Sequence, residues 1–148
     1  MINVKVKKLT DTAKLPTYGS KEAACCDLYA DIPSGETISI RPHETIKIGT
    51  GLTIEPPEGY CAMIYARSGI ATKHGLRPAN CTGICDSDYR GEYIVAIHND
   101  SESTQYVDKG MRIAQLMFVP YAQANFEEVD SLSDTERGSG GFGSTGVS

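Results

Sequence analysis

Apolar and polar residues alternate with a period of two along most of this chain. Ile2, Val4 and Val6 fall on one side of an extended segment, and Asn3, Lys5 and Lys7 on the other. Ile38-Ser39-Ile40 and Ile46-Lys47-Ile48 repeat the alternation, and residues 59–65, 92–98 and 112–119 are short runs rich in β-branched and aromatic side chains. A two-residue period predicts strands that turn one face inward. Turn-forming clusters separate the runs: Pro33-Ser34-Gly35, Gly49-Thr50-Gly51, Pro56-Pro57-Glu58-Gly59 and Asp108-Lys109-Gly110. Many short strands punctuated in this way predict an all-β sandwich, jelly roll or barrel. No long stretch keeps a helical period, and the single helix expected is a turn or two around Ser68 to Lys73.

The C-terminal end breaks the pattern. From Ser131 to Ser148, ten of eighteen residues are Gly or Ser, and an acidic stretch (Glu127, Glu128, Asp130, Asp134, Glu136) overlaps its start. This composition predicts one domain over residues 1–128 and a flexible C-terminal arm over residues 129–148.

The charge balance narrows the choice of ligand. The chain has 148 residues, with 14 Lys+Arg against 19 Asp+Glu and a net charge of −5. A broad nucleic-acid or anionic-membrane surface needs net positive charge to displace counterions, so that class is excluded. The five acidic residues at the arm equal the whole excess, and the rest of the chain is formally neutral. A compact anion site built from a few arginines therefore remains open. The five cysteines (Cys25, Cys26, Cys61, Cys81, Cys85) are odd in number, include an adjacent pair and have no zinc-ligand spacing. They read as reduced, structural thiols. Residues 1–8 alternate rather than form an apolar run, which is unlike a signal peptide, and the expected compartment is the cytoplasm.

Five segments carry residue types suited to chemistry. In Ala24-Cys25-Cys26-Asp27-Leu28-Tyr29-Ala30, Asp27 is a lone carboxylate in an apolar run, so it is either salt-bridged or near a cation. In Ala66-Arg67-Ser68-Gly69-Ile70-Ala71, an Arg, a hydroxyl and free amides at a helix start can face an anion, although Ser68 could simply cap the helix. Asn80 through Ile94 reads as strand, turn and strand, with Asp86 and Asp88 flanking Ser87. If extended, the two carboxylates share a side, and one could activate water. In Lys109 through Leu116, Arg112 and Gln115 fall on opposite sides of an extended strand. The arm segment Arg137-Gly138-Ser139-Gly140-Gly141-Phe142-Gly143-Ser144-Thr145-Gly146 combines glycine amides, hydroxyls, an arginine fork and one aromatic ring, a composition suited to closing over a nucleotide.

Taken together and in this order, the five segments resemble the five motifs of the trimeric dUTP diphosphatase (dUTPase) family, from about residue 2 to residue 146. The resemblance implies a distorted jelly-roll β-barrel or sandwich with one short helix. It also implies a homotrimer whose three active sites lie between subunits, with the arm of one subunit closing over another's site. The implied reaction is hydrolysis of dUTP to dUMP and diphosphate with Mg2+, which keeps uracil out of DNA and supplies dUMP for thymidylate synthesis. By the same resemblance Asp86 is the general base for in-line attack of water on the α-phosphorus. Arg67, Ser68, Gly69 and Gln115 contact phosphate, and Arg112 supports either Asp86 or the phosphates. Arg137 reaches the γ-phosphate with Gly143, Ser144 and Thr145 beside it, and Phe142 stacks on uracil. Asp27 reaches Mg2+ through a water. Asn80, Gly83, Ile84, Cys85 and Ile94 read the base, and Tyr89 packs on deoxyribose. The chain departs from the family pattern at Cys25, Cys26 and Cys85, apolar-compatible changes that remove no catalytic group.

Two other readings compete. One is a dCTP deaminase-like or bifunctional relative, a group whose chains are usually longer and use other acid/base residues. The other is a phage-type dUTPase with an added protein-binding role. Such proteins often carry an insertion, and no extra segment is visible here.

Overall fold

A computed structural model of the chain describes residues 1–141. Twelve strands and one helix follow in order: β1 (Lys5–Lys8), β2 (Thr17–Tyr18), β3 (Cys26–Tyr29), β4 (Ile38–Ile40), β5 (Thr45–Gly49), β6 (Leu52–Glu55), β7 (Tyr60–Tyr65), α1 (Ser68–His74), β8 (Leu76–Pro78), β9 (Thr82–Cys85), β10 (Ile94–Asn99), β11 (Gln105–Val107) and β12 (Arg112–Pro120). The predicted β-rich class and the single short helix are both present. The first strand starts at Lys5 rather than at the N-terminus, and Ile2 is exposed.

The largest sheet has the order β2-β3-β12-β7-β9, and a three-stranded sheet has the order β5-β10-β8. Two further antiparallel pairs, β1 with β6 and β11 with β4, complete the fold. Period-two alternation explains the layering. In the five-stranded sheet Cys26, Leu116, Ile64 and Gly83 lie opposite one another and are all buried. One residue along each strand, Asp27, Gln115, Tyr65 and Thr82 form a row on the other face and are only half-buried. The inward rows join Ile48, Leu52, Ile54, Val95, Ile97 and Val107 in a single apolar core. Each buried aliphatic side chain contributes roughly 1.5–3 kcal/mol.

The turns follow their residues. Gly51 (φ +65°) reverses the chain between β5 and β6, and Gly110 (φ +75°) leads into β12. The left-handed region costs glycine nothing, whereas a side chain at Gly51 would also strike Asp31, Ala13 and Thr10. Asn99, fully buried, donates to the carbonyls of Ile40, Arg41 and Ser103 and ties the β4–β5 connection to the β10–β11 connection.

Among the described residues no helix is long and apolar enough to cross a membrane. All five cysteines are unpaired thiols.

Candidate active site

Two clusters of sequence-selected residues flank β7, one on its β12 side and one on its β9 side. The first forms where β3, β12 and the chain leaving β7 meet. Asp27 on β3 sits opposite Gln115 on β12, which sits opposite Tyr65 on β7. Two residues beyond Tyr65, Arg67 donates from Nε to Asp27 Oδ1 at 2.6 Å, and both side chains are mostly buried. Arg112 donates to the other oxygen, Oδ2, at 3.3 Å. Of the two readings left open for Asp27, the salt-bridged one is present, with two partners. Gln115 uses its amide to bond the Ala66 carbonyl at 2.9 Å, which fixes the strand just before Arg67.

The register corrects one expectation. Arg112 and Gln115 do not fall on opposite sides of β12. Arg112 pairs with Tyr29, Ala114 with Leu28 and Gln115 with Asp27, so Ile113 is an extra residue in a β-bulge. A bulge shifts the alternation by one residue and brings both side chains to the face that carries Asp27. A second correction concerns the helix start. The N-cap is Arg67, with extended backbone (φ −87°, ψ 132°) and no side-chain cap, and Ser68 is the first helical residue. Its hydroxyl is therefore not used as the cap, and Ser68 and Gly69 stay exposed beside Arg67.

The second cluster surrounds the segment after β9. A cavity of about 280 Å³ is lined by Ile64, Asn80, Gly83, Ile84, Cys85, Asp86, Tyr89, Glu92, Tyr93 and Ile94. Asn80 places its amide over Gly83, 3.5 Å from where a Cβ would stand, so any larger residue at Gly83 would press on Asn80 and on Ile64. Asp86 and Asp88 are not extended. They belong to a turn closed by the Tyr89 amide on the Asp86 carbonyl at 3.2 Å, and Arg90 braces it through the Ser87 carbonyl at 2.7 Å. The Tyr89 ring folds back on Gly91, where a Cβ would collide with it, and its hydroxyl donates to the Glu92 carbonyl at 3.1 Å.

The segment is not a laddered hairpin either. β9 pairs with β7 in the large sheet, whereas β10 pairs with β5 and β8 in the other. The loop carrying Asp86 thus crosses between two sheets, and the gap between them is the cavity. Two residues that sequence reasoning passed over belong to this cluster. Glu92 accepts from the Gly51 amide at 2.8 Å and closes over Gly49. Tyr93 packs its ring 6.1 Å from that of Tyr89. Neither has a local sequence signal.

Burial raises the Cys85 thiol above its ordinary range, and burial likewise pushes Cys26 up to about 11. Both stay protonated near neutral pH and pack as small apolar groups.

Asp86 stands apart from the Arg67 cluster along the course of β7. Cys85, next to Asp86, lies opposite Ala62, and Arg67 follows five residues later on the same course, roughly 17 Å away at the usual rise of an extended strand. Arg137 is exposed and bonds the Gly140 carbonyl within its own turn. Phe142, Gly143, Ser144 and Thr145 lie outside the described residues.

The fit to a divalent metal can be judged from the donors. Among the described residues no group of three or more His, Cys, Asp or Glu gathers around one point. Near the Arg67 cluster the hard oxygen donors are the Asp27 carboxylate and the side-chain carbonyl of Gln115. Each Asp27 oxygen accepts one guanidinium bond and keeps lone-pair capacity. This set suits Mg2+ held mainly by water and substrate phosphates, with the protein in the outer sphere.

An all-β chain that holds a small polar cavity at one end of a sheet and paired arginines at the other has the layout of a protein for a small phosphorylated ligand. The comparisons with known proteins agree with that class. A family model described as dUTPase matches residues 11–146, and the chain belongs to the dUTPase family. The deoxyuridine 5'-triphosphate nucleotidohydrolase of Nautilia profundicola is 48% identical over 145 residues, covering 98% of this chain and 99% of its own. That of Desulfitobacterium hafniense (strain DSM 10664 / DCB-2) is 45% identical over 153 residues, covering 100% of both chains. Among solved structures, a Staphylococcus bacteriophage 80alpha dUTPase with dUpNHpp superposes with a TM-score of 0.83 at 29% identity, covering 98% of this chain and 99% of the phage chain. The phage phi11 dUTPase, described with a structural Mg(II) ion, shares the fold at a TM-score of 0.79 and 23% identity.

Proposed function

We propose that this protein hydrolyses dUTP to dUMP and diphosphate, at sites built from more than one copy of the chain. Family membership and the nucleotidohydrolase relatives support the reaction. The observation that carries the assembly is the separation of Asp86 from the Arg67 cluster along β7. We infer that the base beside a triphosphate bound at Arg67 comes from a neighbouring copy of the chain. The outer face of the five-stranded sheet supports such a neighbour: Met117, Met63 and Ile84 form an apolar row there, with Ile84 strongly exposed. Apolar rows of this kind are usually covered. A closed homotrimer satisfies both requirements.

We assign the residue roles in keeping with this placement. Asp86 is an exposed carboxylate outside every ion pair of the described residues, free to orient and deprotonate an attacking water. Arg67 and the amides of Ser68 and Gly69 bind phosphate oxygens, with Gln115 and Arg112 next to them. Asp27 holds both arginines at fixed positions before substrate arrives. Mg2+ supplies neutralisation of phosphate charge, and Asp27 and Gln115 hold its waters. Asn80 and the backbone of Gly83, Ile84, Cys85 and Ile94 form a narrow wall that reads the pyrimidine edge, and Tyr89 covers the sugar. Cytosine would leave buried groups of that wall unpaired, which costs on the order of 10⁴-fold in selectivity. Arg137, Phe142, Gly143, Ser144 and Thr145 of the arm, residues 129–148, close over the bound nucleotide. The cytoplasm, where deoxynucleotides are handled, is the proposed location.

Mixing variants tests the shared site. Asp86→Asn and Arg67→Ala chains, each inactive alone, should regain roughly a quarter of wild-type diphosphate release when unfolded, mixed and refolded as random heterotrimers. No recovery in heterotrimers that do form would place both residues in one chain's site and refute the assembly.

A further inference from the structure

The turn that carries Asp86 is a partition between two hollows. On one side is the 280 Å³ cavity, whose lining includes Asp86 and Tyr89. On the other is a groove of about 450 Å³, whose lining includes Ser87, Asp88, Arg90, Lys5 and Glu55. Among the described residues Arg90 and Glu55 line the groove and not the cavity. The chain that follows the turn is fastened along β6. The Tyr93 amide donates to the Leu52 carbonyl at 2.8 Å, Glu92 accepts from the Gly51 amide at 2.8 Å, and the Thr53 hydroxyl donates to the Arg90 carbonyl at 3.1 Å. From that fixed point the Arg90 side chain reaches two ways. Its Nη2 lies 3.6 Å from Glu55 Oε2, on the outward side of β6 that also carries Thr53. Its Nη1 donates back into the turn, to the Ser87 carbonyl at 2.7 Å and to the Tyr89 carbonyl at 3.2 Å. Lys5 on β1 donates to the other Glu55 oxygen at 3.0 Å. That bond, and then the charge of Arg90, holds the Glu55 carboxyl below its ordinary value, so Glu55 is an anion at neutral pH.

We propose that Arg90 is a positioning residue for the hydrolysis: its guanidinium, anchored on Glu55, holds the turn so that the Asp86 carboxylate meets the attacking water, and it does so from behind, without touching the nucleotide. The inference rests on the reading of Asp86 as the base. Apart from Arg90, the backbone bond across the turn among the described residues is the one from the Tyr89 amide to the Asp86 carbonyl. The guanidinium takes the Ser87 and Tyr89 carbonyls and ties them to a different sheet. Tyr89 does not need that support to place its ring, which is held by the Glu92 carbonyl and by packing on Tyr93. Arg90 therefore acts on the base and not on nucleoside binding. A reacting group misplaced by about 1 Å loses on the order of 10²-fold in rate.

The test is dUTP turnover, calorimetric binding of dUMP and thermal melting on the full-length wild type, Arg90→Ala, Asp86→Asn and the double variant. Arg90→Ala should lower kcat about 10- to 100-fold. KM for dUTP, dUMP affinity and melting temperature should change little, because the ion pair removed is an exposed one. The double variant should be no slower than Asp86→Asn alone, since a brace without its carboxylate has nothing left to aim. Near-normal kcat in Arg90→Ala overturns the inference. So does a loss of kcat matched by weaker dUMP binding and a lowered melting temperature, which would make Arg90 a structural residue. A double variant slower than Asp86→Asn by the full Arg90→Ala factor also overturns it, because Arg90 would then act apart from the base. Near-normal kcat in Asp86→Asn would instead overturn the functional reading.

Discussion

Asp27 lies on β3 and Asp86 on the loop after β9, with two strands between them across the large sheet, and the molecule holds the two carboxylates in opposite ways. Asp27 is clamped: two guanidiniums from different elements grip its two oxygens, and the row beneath it is core. Asp86 is exposed, on a turn held by backbone bonds, and faces a cavity. The difference separates positioning from reaction. A clamped carboxylate fixes arginines, which suits binding phosphate. A free one can take a proton, which suits activating water.

The contrast can be broken most sharply at Asp86. Asp86→Asn should lower kcat for dUTP about 10²- to 10⁴-fold, the usual worth of a general base, while melting temperature and KM change little. Diphosphate release and thermal melting measure the two sides. A variant with near-normal kcat would remove Asp86 from the chemistry.

Asp27 should show the reverse profile, with stability lost as well as activity. Asp27→Ala leaves Arg67 mostly buried and without its partner, a loss of about 1–3 kcal/mol in urea unfolding. Arg112→Ala removes only the exposed half of the clamp and should cost less than about 1 kcal/mol. Equal effects from the two would mean that Arg112 matters to folding as much as Arg67.

Thiol labelling sharpens the picture of the cavity end. Cys81 is exposed in the connection between β8 and β9 and should react first with a disulfide reagent at pH 8. Cys26, buried and pushed up to about 11, should react last, and Cys85 should be slowed by its burial. Protection of Cys85 by added dUMP would place the nucleoside against it. Unchanged labelling of Cys85 would keep the nucleoside away.

The smallest effect concerns the brace beneath that loop. Arg77 pairs with Asp100 at 2.6 Å and also donates to the Pro78 and Ala79 carbonyls. The hydrogen bond from Arg77 lowers the Asp100 carboxyl below its ordinary value. A lowered folded value contributes stability above the unfolded value and loses it as pH falls through the lowered one. Asp100→Asn should therefore lower the melting temperature slightly at pH 7 and make less difference below about pH 4, where the wild type has already lost the contribution, so the acid limb flattens.

Much of this molecule was legible from residues alone. Period-two alternation gave the strands, the Gly and Pro clusters gave the turns, and Ser68 to Lys73 gave most of the one helix. The five segments gave the family, because each carries rare residue types at set distances along the chain. Local rules sufficed there, since strand periodicity and turn chemistry depend on neighbours in sequence.

Tertiary structure decided the rest. A one-residue bulge at Ile113 turned Arg112 to the same face as Gln115, a result that strict alternation denies. The pairing of β10 with β5 and β8 rather than with β9 opened the cavity at Asp86 and put Tyr93 on its wall. The salt bridge of Asp27 was formed by Arg67, forty residues away in the chain and 2.6 Å away in space. Sequence periodicity fixes which side of a strand a residue takes, but which strand lies next to it depends on the burial of the whole apolar core, and that is a property of the folded chain.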